Sequence, residues 1–377
     1  MFFFDVSKDW LILCPLNENV ARQAADELVR AISFLRRQAG LPPKQTDIAD
    51  ALGPAPDDSV PVIIFNFENR GAGELRIGFS WRFGKDRIEF HGESAPGLCN
   101  CVFHFLDQLG FRWPNPAREK LPQVDLVRPG QYLLASSSAY QPSRKPDIAK
   151  RRRLVISRND FFMFSPKDAE NLLLWAARNR IDALILPLDK NNSSSHLFGK
   201  IQGFRDALLN EAKKYGLIIE RGGWDLSFFV PRRYFFINRG IFRMDSGKRR
   251  MRYNFCPTNP DTIALLTEEA KKCFQSHPNV QVFHLWPDRF HEMSWCSCPS
   301  CRAFTMEEQN RIAVNTAADA LKAVNPNAFI SFYERPGEEC DIPLRDNLFR
   351  QEYLPGEDRE IWPLEAPGVF LIENVKK

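Results

Sequence analysis

The segment Trp295-Cys296-Ser297-Cys298-Pro299-Ser300-Cys301 places three thiols within six residues around a proline turn, close enough to converge on one ion. Zinc is the metal such a set selects, and thiolate-rich sets usually fasten loops rather than activate water, so a structural zinc is the expected ion. A fourth ligand is missing from the run and would have to come from His291, His284 or Cys256 folding back. A thiol-rich loop without metal is the alternative. Two carboxylates form a second group, because Asp288 and Glu334 each stand just beyond an apolar, strand-like run. Acids on neighbouring strand ends are what glycosidic-bond cleavage needs, one as general acid and one as nucleophile or base. Structural ion pairs with the adjacent Arg289 and Arg335 are the competing explanation. Trp224, Asp225, His284, Trp286 and Tyr333 fall at comparable strand ends and would offer stacking or hydrogen-bonding contacts to a sugar. The chemistry needs no cofactor.

These residues require a frame. From about residue 147 onward, apolar β-type runs alternate with helical stripes. The strands are Leu154–Ser157, Ala183–Leu188, Gly216–Glu220, Val280–Leu285, Ala328–Tyr333 and Val369–Ile372. Ser165 with Asp168, and Thr305 with Glu308, mark helix starts by capping boxes, and Asn259-Pro260 opens another helix. Alternation of this kind implies a parallel sheet, and about six β units suggest a (β/α) TIM-type barrel, whose active sites lie in the loops after the strands. Asp189 and His196 would follow the second strand, and Glu373 and Asn374 the last. The strand count stops short of eight, so an incomplete barrel or a truncated chain is expected. The excursion from Glu220 to Asn259 is too long for a mere connector.

Residues 1–135 read as a smaller α/β unit, with strands near Phe2–Phe4, Leu11–Cys14, Val60–Phe65, Leu75–Phe79 and Arg87–Phe90. Its helices carry the stripes Leu28, Ala31, Ile32, Leu35 and Leu98, Val102, Phe105, Leu106, Leu109, with Gly40 and Gly110 placed to end them. Residues 136–146, polar and proline-bearing, read as an interdomain linker, and 147–377 as the barrel.

Fifty-one Lys plus Arg against 47 Asp plus Glu name no polyanionic partner by charge. The basic clusters Lys150–Arg153 and Lys248–Arg250 therefore read as solvated loops rather than a nucleic-acid surface. No run is long enough to span a bilayer, and Asp5, Lys8 and Asp9 interrupt what would be the apolar core of a signal peptide. An odd number of cysteines, nine, in a chain too long to need staples favours a reducing, cytoplasmic setting with free thiols. Cys99 and Cys101, two apart on a helix, read as packing residues. Oligomeric state is not encoded in these patterns.

Asn254-Phe255-Cys256-Pro257-Thr258-Asn259-Pro260, then His284 to Asp288, then the Cys-x-Cys-x-x-Cys run, together resemble a glycoside-hydrolase-like barrel family long catalogued as a domain of unknown function. Some of its members act as endo-β-N-acetylglucosaminidases. Gly92 to Pro116, with Phe103, Phe105, Leu106, Gly110, Phe111, Arg112 and Trp113, resembles the small domain that precedes α-glucuronidase and hexosaminidase barrels. The resemblance implies a TIM-type barrel, an accessory first domain without catalytic residues, and a general acid after the fourth strand, here Asp288. Related substrate-assisted enzymes commonly carry two adjacent acids there, whereas Asp288 is flanked by Pro287 and Arg289. The second acid would then be Glu292 or the better placed Glu334. A glycoside hydrolase acting on a β-linked, N-acetylated sugar is the leading expectation, and a non-catalytic carbohydrate-binding protein of the same fold is the alternative.

Overall fold

The computed structural model describes residues 2–54, 56–68, 78–122, 130–134, 138–141, 148, 151–156, 160, 164–188, 198–224, 226–288, 294–334, 340–352, 360–361 and 370–372. In the first unit the elements are β1 (Phe2–Asp5), β2 (Leu11–Cys14), α1 (Asn19–Gln38), β3 (Asp47–Asp50), β4 (Val62–Phe67), β5 (Phe79–Phe83), β6 (Arg87–Gly92), α2 (Ala95–Gln108), β7 (Arg112–Asn115), β8 (Arg118–Lys120), β9 (Gln131–Leu134) and β10 (Ser138–Gln141). A six-stranded sheet runs in the order β10-β5-β6-β4-β2-β3, and α1 and α2 pack on it and on each other. The helices form where the stripes demand. α1 buries Ala21, Ala24, Ala25, Leu28, Ala31, Ile32 and Leu35, and Ser94 caps α2 by accepting from the Gly97 N–H, with Pro96 in the first turn. Cys99 and Cys101 are both buried.

Two expectations for this unit change. The strand expected at Leu75–Phe79 is described only from Phe79, where β5 begins. Ser138–Gln141, assigned to the linker, pairs antiparallel with β5 as the edge of the sheet. An edge strand is held by its backbone ladder on one side, so a polar composition does not exclude it.

The second unit comprises β11 (Arg153–Val155), α3 (Pro166–Arg178), β12 (Ala183–Leu186), α4 (Phe198–Tyr215), β13 (Ile218–Gly223), β14 (Met244–Asp245), β15 (Lys248–Arg249), α5 (Pro260–Gln275), β16 (Val282–Leu285), α6 (Met306–Val324), β17 (Phe329–Glu334), β18 (Leu348–Glu352), β19 (Glu360–Ile361) and β20 (Phe370–Ile372). Its sheet runs β18-β17-β16-β13-β12-β11-β20-β19. From β11 to β18 every pairing is parallel, so the sheet curls as a partial barrel. The capping boxes at Ser165 and Thr305 form as expected, and Asn259 accepts from the N–H groups of Asp261 and Thr262. The excursion after β13 holds three short 3-10 turns, Leu226–Phe229, Arg232–Phe236 and Arg239–Ile241, and the β14–β15 hairpin.

The sixth parallel strand is β18, not the expected Val369–Ile372 run. That run supplies β20, which lies antiparallel to β11. β18 reads Leu-Phe-Arg-Gln-Glu and was hidden because Gln351 belongs to a polar interior and Arg350 to an ion pair.

The two units share one core, which continues from Phe4, Leu28 and Phe105 to Trp175, Leu184 and Leu208. Across the seam Trp175 Nε1 donates to the Trp113 carbonyl at 2.9 Å, and Arg178 pairs with Glu27 at 2.8 Å. Among the described residues no helix is long and apolar enough to cross a membrane.

Candidate functional site

Side chains on a strand alternate between faces, so residues two apart share one. On the concave face this produces two layers. The lower is polar and enclosed: Arg153 of β11, Glu220 of β13, His284 of β16, Ser331 of β17 and Gln351 of β18 are all buried. Glu220 accepts from Arg151 Nη1 at 2.8 Å, from Arg153 Nε at 2.6 Å and from His284 Nε2 at 2.8 Å. His284 Nδ1 lies 2.5 Å from Ser331 Oγ, which is itself 3.3 Å from Gln351 Oε1. Burial by itself would raise the Glu220 pKa, but the His284 hydrogen bond and the Arg153 charge outweigh it and hold the carboxyl well below the usual range. For His284 burial wins, and its pKa falls despite the neighbouring carboxylate.

Arg151 and Arg153 were expected in a solvated basic loop; both are buried counter-ions of Glu220. His284, expected to touch substrate, is fully enclosed with both ring nitrogens engaged. The neighbouring strand accommodates it through Gly222, whose φ is +117° and where an added Cβ would stand 2.0 Å from the His284 carbonyl oxygen.

Two residues beyond Arg153, His284 and Ser331 lie Val155, Trp286 and Tyr333, which with Ile185 of β12 form the upper layer, and Trp224 packs against it. The Trp224 and Trp286 rings meet edge to face at 4.8 Å, and Trp286 and Tyr333 lie 4.6 Å apart. The expected aromatic residues do cluster at the C-terminal ends of the strands. Trp286 is fully buried, however, and Tyr333 only 9% exposed, so Trp224 is the ring with most surface to offer.

Asp288 sits just past β16 with its side chain 20% exposed. One carboxylate oxygen accepts from the Ser227 hydroxyl, and the other pairs with Arg232 Nη2 at 2.5 Å. Its backbone N–H donates to Asn254 Oδ1 at 2.9 Å, and Asn254 Nδ2 reaches Ser294 Oγ at 3.2 Å. Two connections, the excursion after β13 and the loop after β16, thus position one acid. Ser227, Arg232 and Asn254 lie far from Asp288 in sequence; for Ser227 and Arg232 the excursion's excess length was the hint, while Asn254 opens the motif that carries the family resemblance.

Glu334 is held differently. It is nearly buried, with Arg311 Nε on one oxygen at 2.6 Å and Arg350 Nε on the other at 2.8 Å. Arg311 also donates to the Cys340 and Ile342 carbonyls, so Glu334 ties α6 to β18 and to the segment before it. Both Glu334 oxygens therefore have guanidinium partners, as both Asp288 oxygens have partners in Ser227 and Arg232.

The thiols of Cys296, Cys298 and Cys301 come together with that of Cys256, all four sulfurs lying within 4.8 Å of one another and all buried. Of the three candidates for a fourth member, Cys256 is the one in the cluster; His284 is committed to the polar layer. Asp189, His196, Asp225, Arg289, His291, Glu292, Arg335, Glu373 and Asn374 lie outside the described residues.

No family model matches this chain, and no curated protein matches it. Solved structures do. The chitobiase of Flavobacterium johnsoniae superposes with a TM-score of 0.51 at 14% identity, over 88% of this chain and 50% of that one. An enzyme of glycoside hydrolase family 138 that targets pectin rhamnogalacturonan II gives 0.52 at 11%, over 91% and 38%. The family 20 exo-β-N-acetylglucosaminidase of Vibrio harveyi, in complex with N-acetylglucosamine, gives 0.47 at 12%, over 94% and 55%. The two superpositions above 0.5 show a shared α/β fold with a curled parallel sheet, and this chain spans 55% or less of the length of these three structures.

Proposed function

We propose that this protein is a glycoside hydrolase acting on a β-linked, N-acetylated sugar, with Asp288 as its catalytic carboxyl. The observation that carries the reading is the position of Asp288, just past β16 of a curled parallel sheet and two residues beyond Trp286, whose ring packs with those of Trp224 and Tyr333. Strand ends of this kind are where barrel enzymes keep their chemistry. The likeness in fold to a chitobiase supports the sugar class. Trp224 supplies a ring face, and Asp288 protonates the leaving oxygen. Arg232 pairs with one oxygen of Asp288 and its side chain is 35% exposed; acid catalysis by Asp288 requires that guanidinium to leave the carboxylate so that the oxygen can carry a proton.

Aryl glycosides of β-N-acetylglucosamine, β-glucose and α-glucuronic acid, assayed beside complex N-glycans, test the proposal. Release from the N-acetylated substrates is expected, and Asp288→Asn should lower kcat/KM at least about a hundredfold with the fold retained. An equal rate in the variant rejects Asp288 as the acid.

A second reading, a carbohydrate-binding protein without hydrolysis, is favoured by one specific observation. Every oxygen of Asp288 and Glu334 already has a partner in Ser227, Arg232, Arg311 or Arg350. Calorimetric binding of N-acetylglucosamine oligomers with no turnover would select it.

A further inference from the structure

The four clustered thiols belong to neither the polar layer nor the Asp288 wall, and their geometry is that of a metal site. We propose that Cys256, Cys296, Cys298 and Cys301 bind one zinc ion, which locks the excursion after β13 to the loop after β16. Sulfurs arranged tetrahedrally at ~2.3 Å from zinc stand roughly 3.8 Å from one another. Cys256 Sγ lies 3.7 Å from Cys298 Sγ and 3.6 Å from Cys301 Sγ. A disulfide needs sulfurs at about 2.0 Å, and none of the four is so paired.

The surroundings suit a thiolate site. Cys296 Sγ accepts from the Met244 N–H at 3.2 Å and has Arg249 Nη1 at 3.8 Å, while Thr258 Oγ1 is 3.0 Å from Cys301 Sγ. Such donors orient sulfur lone pairs, and the guanidinium offsets the net negative charge of four thiolates around a divalent ion. Gln309 of α6 braces the loop from behind, accepting from the Cys296 N–H at 3.0 Å and donating to the Cys296 carbonyl at 3.1 Å. Four buried protein ligands leave no position for water, so the ion is structural and takes no part in bond cleavage.

Its place in the fold gives it a task. Cys256 and Cys296 each lie two residues beyond one member of the Asn254–Ser294 pair, and Asn254 holds the Asp288 N–H. Closing the two loops on zinc fixes the spacing of that pair and hence the backbone beneath Asp288. The metal site itself stands whether or not Asp288 acts on sugars.

Metal analysis of the full chain, purified under reducing conditions without chelator, should find one zinc per chain, and X-ray absorption should find four sulfurs at ~2.3 Å. Stripping the zinc and adding cobalt should produce thiolate-to-metal charge transfer and tetrahedral d–d bands. Cys298→Ser and Cys301→Ser should lose the metal, whereas Cys340→Ser, outside the cluster, should keep it. The wild-type measurements stand even where a variant fails to fold. Absence of stoichiometric zinc together with no cobalt–thiolate spectrum overturns the proposal, as does a disulfide mapped within the four in the reduced-purified protein.

Discussion

Glu220 is the residue on which the interior of the second sheet turns. Two buried guanidinium groups and an imidazole converge on it, so removing its charge would leave Arg151 and Arg153 without their buried counter-charge. Breaking a buried pair from one side costs about 3–5 kcal/mol, and Glu220→Gln should destabilise by that order in chemical denaturation. The pH response follows from the directions of both shifts. Glu220 and His284 each bind protons more weakly folded than unfolded, so each contributes stability that is complete above its ordinary pKa and is lost as pH falls below it. For His284 the loss begins below 6.5, and for Glu220 below 4.5. Denaturation midpoints measured from about pH 7 downward should therefore decline in two stages, each unit traversed costing up to about 1.4 kcal/mol per group. Glu220→Gln should flatten the lower stage; an unchanged acid limb would contradict this account.

At the scale of elements, the parallel strands are brought together by a glycine. Gly222 lets β13 approach β16 at His284, and any side chain there meets the His284 carbonyl in a backbone conformation only glycine adopts readily. Gly222→Ala should cost about 2–5 kcal/mol from strain and overpacking together, read as a lowered urea midpoint. A second element-level test concerns the thiol-bound loops. Chelation of the proposed zinc should lower the melting temperature and open residues 242–256 to limited proteolysis, with the first unit's sheet still protected. Most helices, the first five parallel strands and the thiol motif were legible in the sequence, because capping boxes, apolar stripes and ligand spacing are local. β18 was not, since its Arg350 and Gln351 face partners on other elements and break the apolar pattern. The roles of Arg153, Glu220 and His284 were equally hidden: each reads as surface or rim until the curl of the sheet brings all three to one point. For Asp288 the strand end was legible, but its holders Ser227, Arg232 and Asn254 arrive from an excursion with no periodic signal.

For the whole molecule, the decisive contact is the helical seam between the two sheets. Composition alone suggested a linker with a self-sufficient layer on either side, yet the apolar core is continuous from α1 and α2 into α3 and α4. Trp175 sits on that seam, 2% exposed, with its indole N–H bonded to the Trp113 carbonyl of the first unit. The Asn179 amide makes a second bond to the same carbonyl at 3.0 Å, and the Arg178–Glu27 pair closes the edge. Units that bury a common core cannot lose one half without exposing apolar surface of the other, so heat should unfold them together in a single calorimetric transition. Trp175→Ala would remove a large buried side chain of the seam and its hydrogen bond, at a cost of about 3–5 kcal/mol. If the core is one, the variant should lower the whole transition while keeping it single. A split into two peaks, one at the wild-type temperature, would mean that the units are energetically separate and that the sequence's apparent linker is a true boundary.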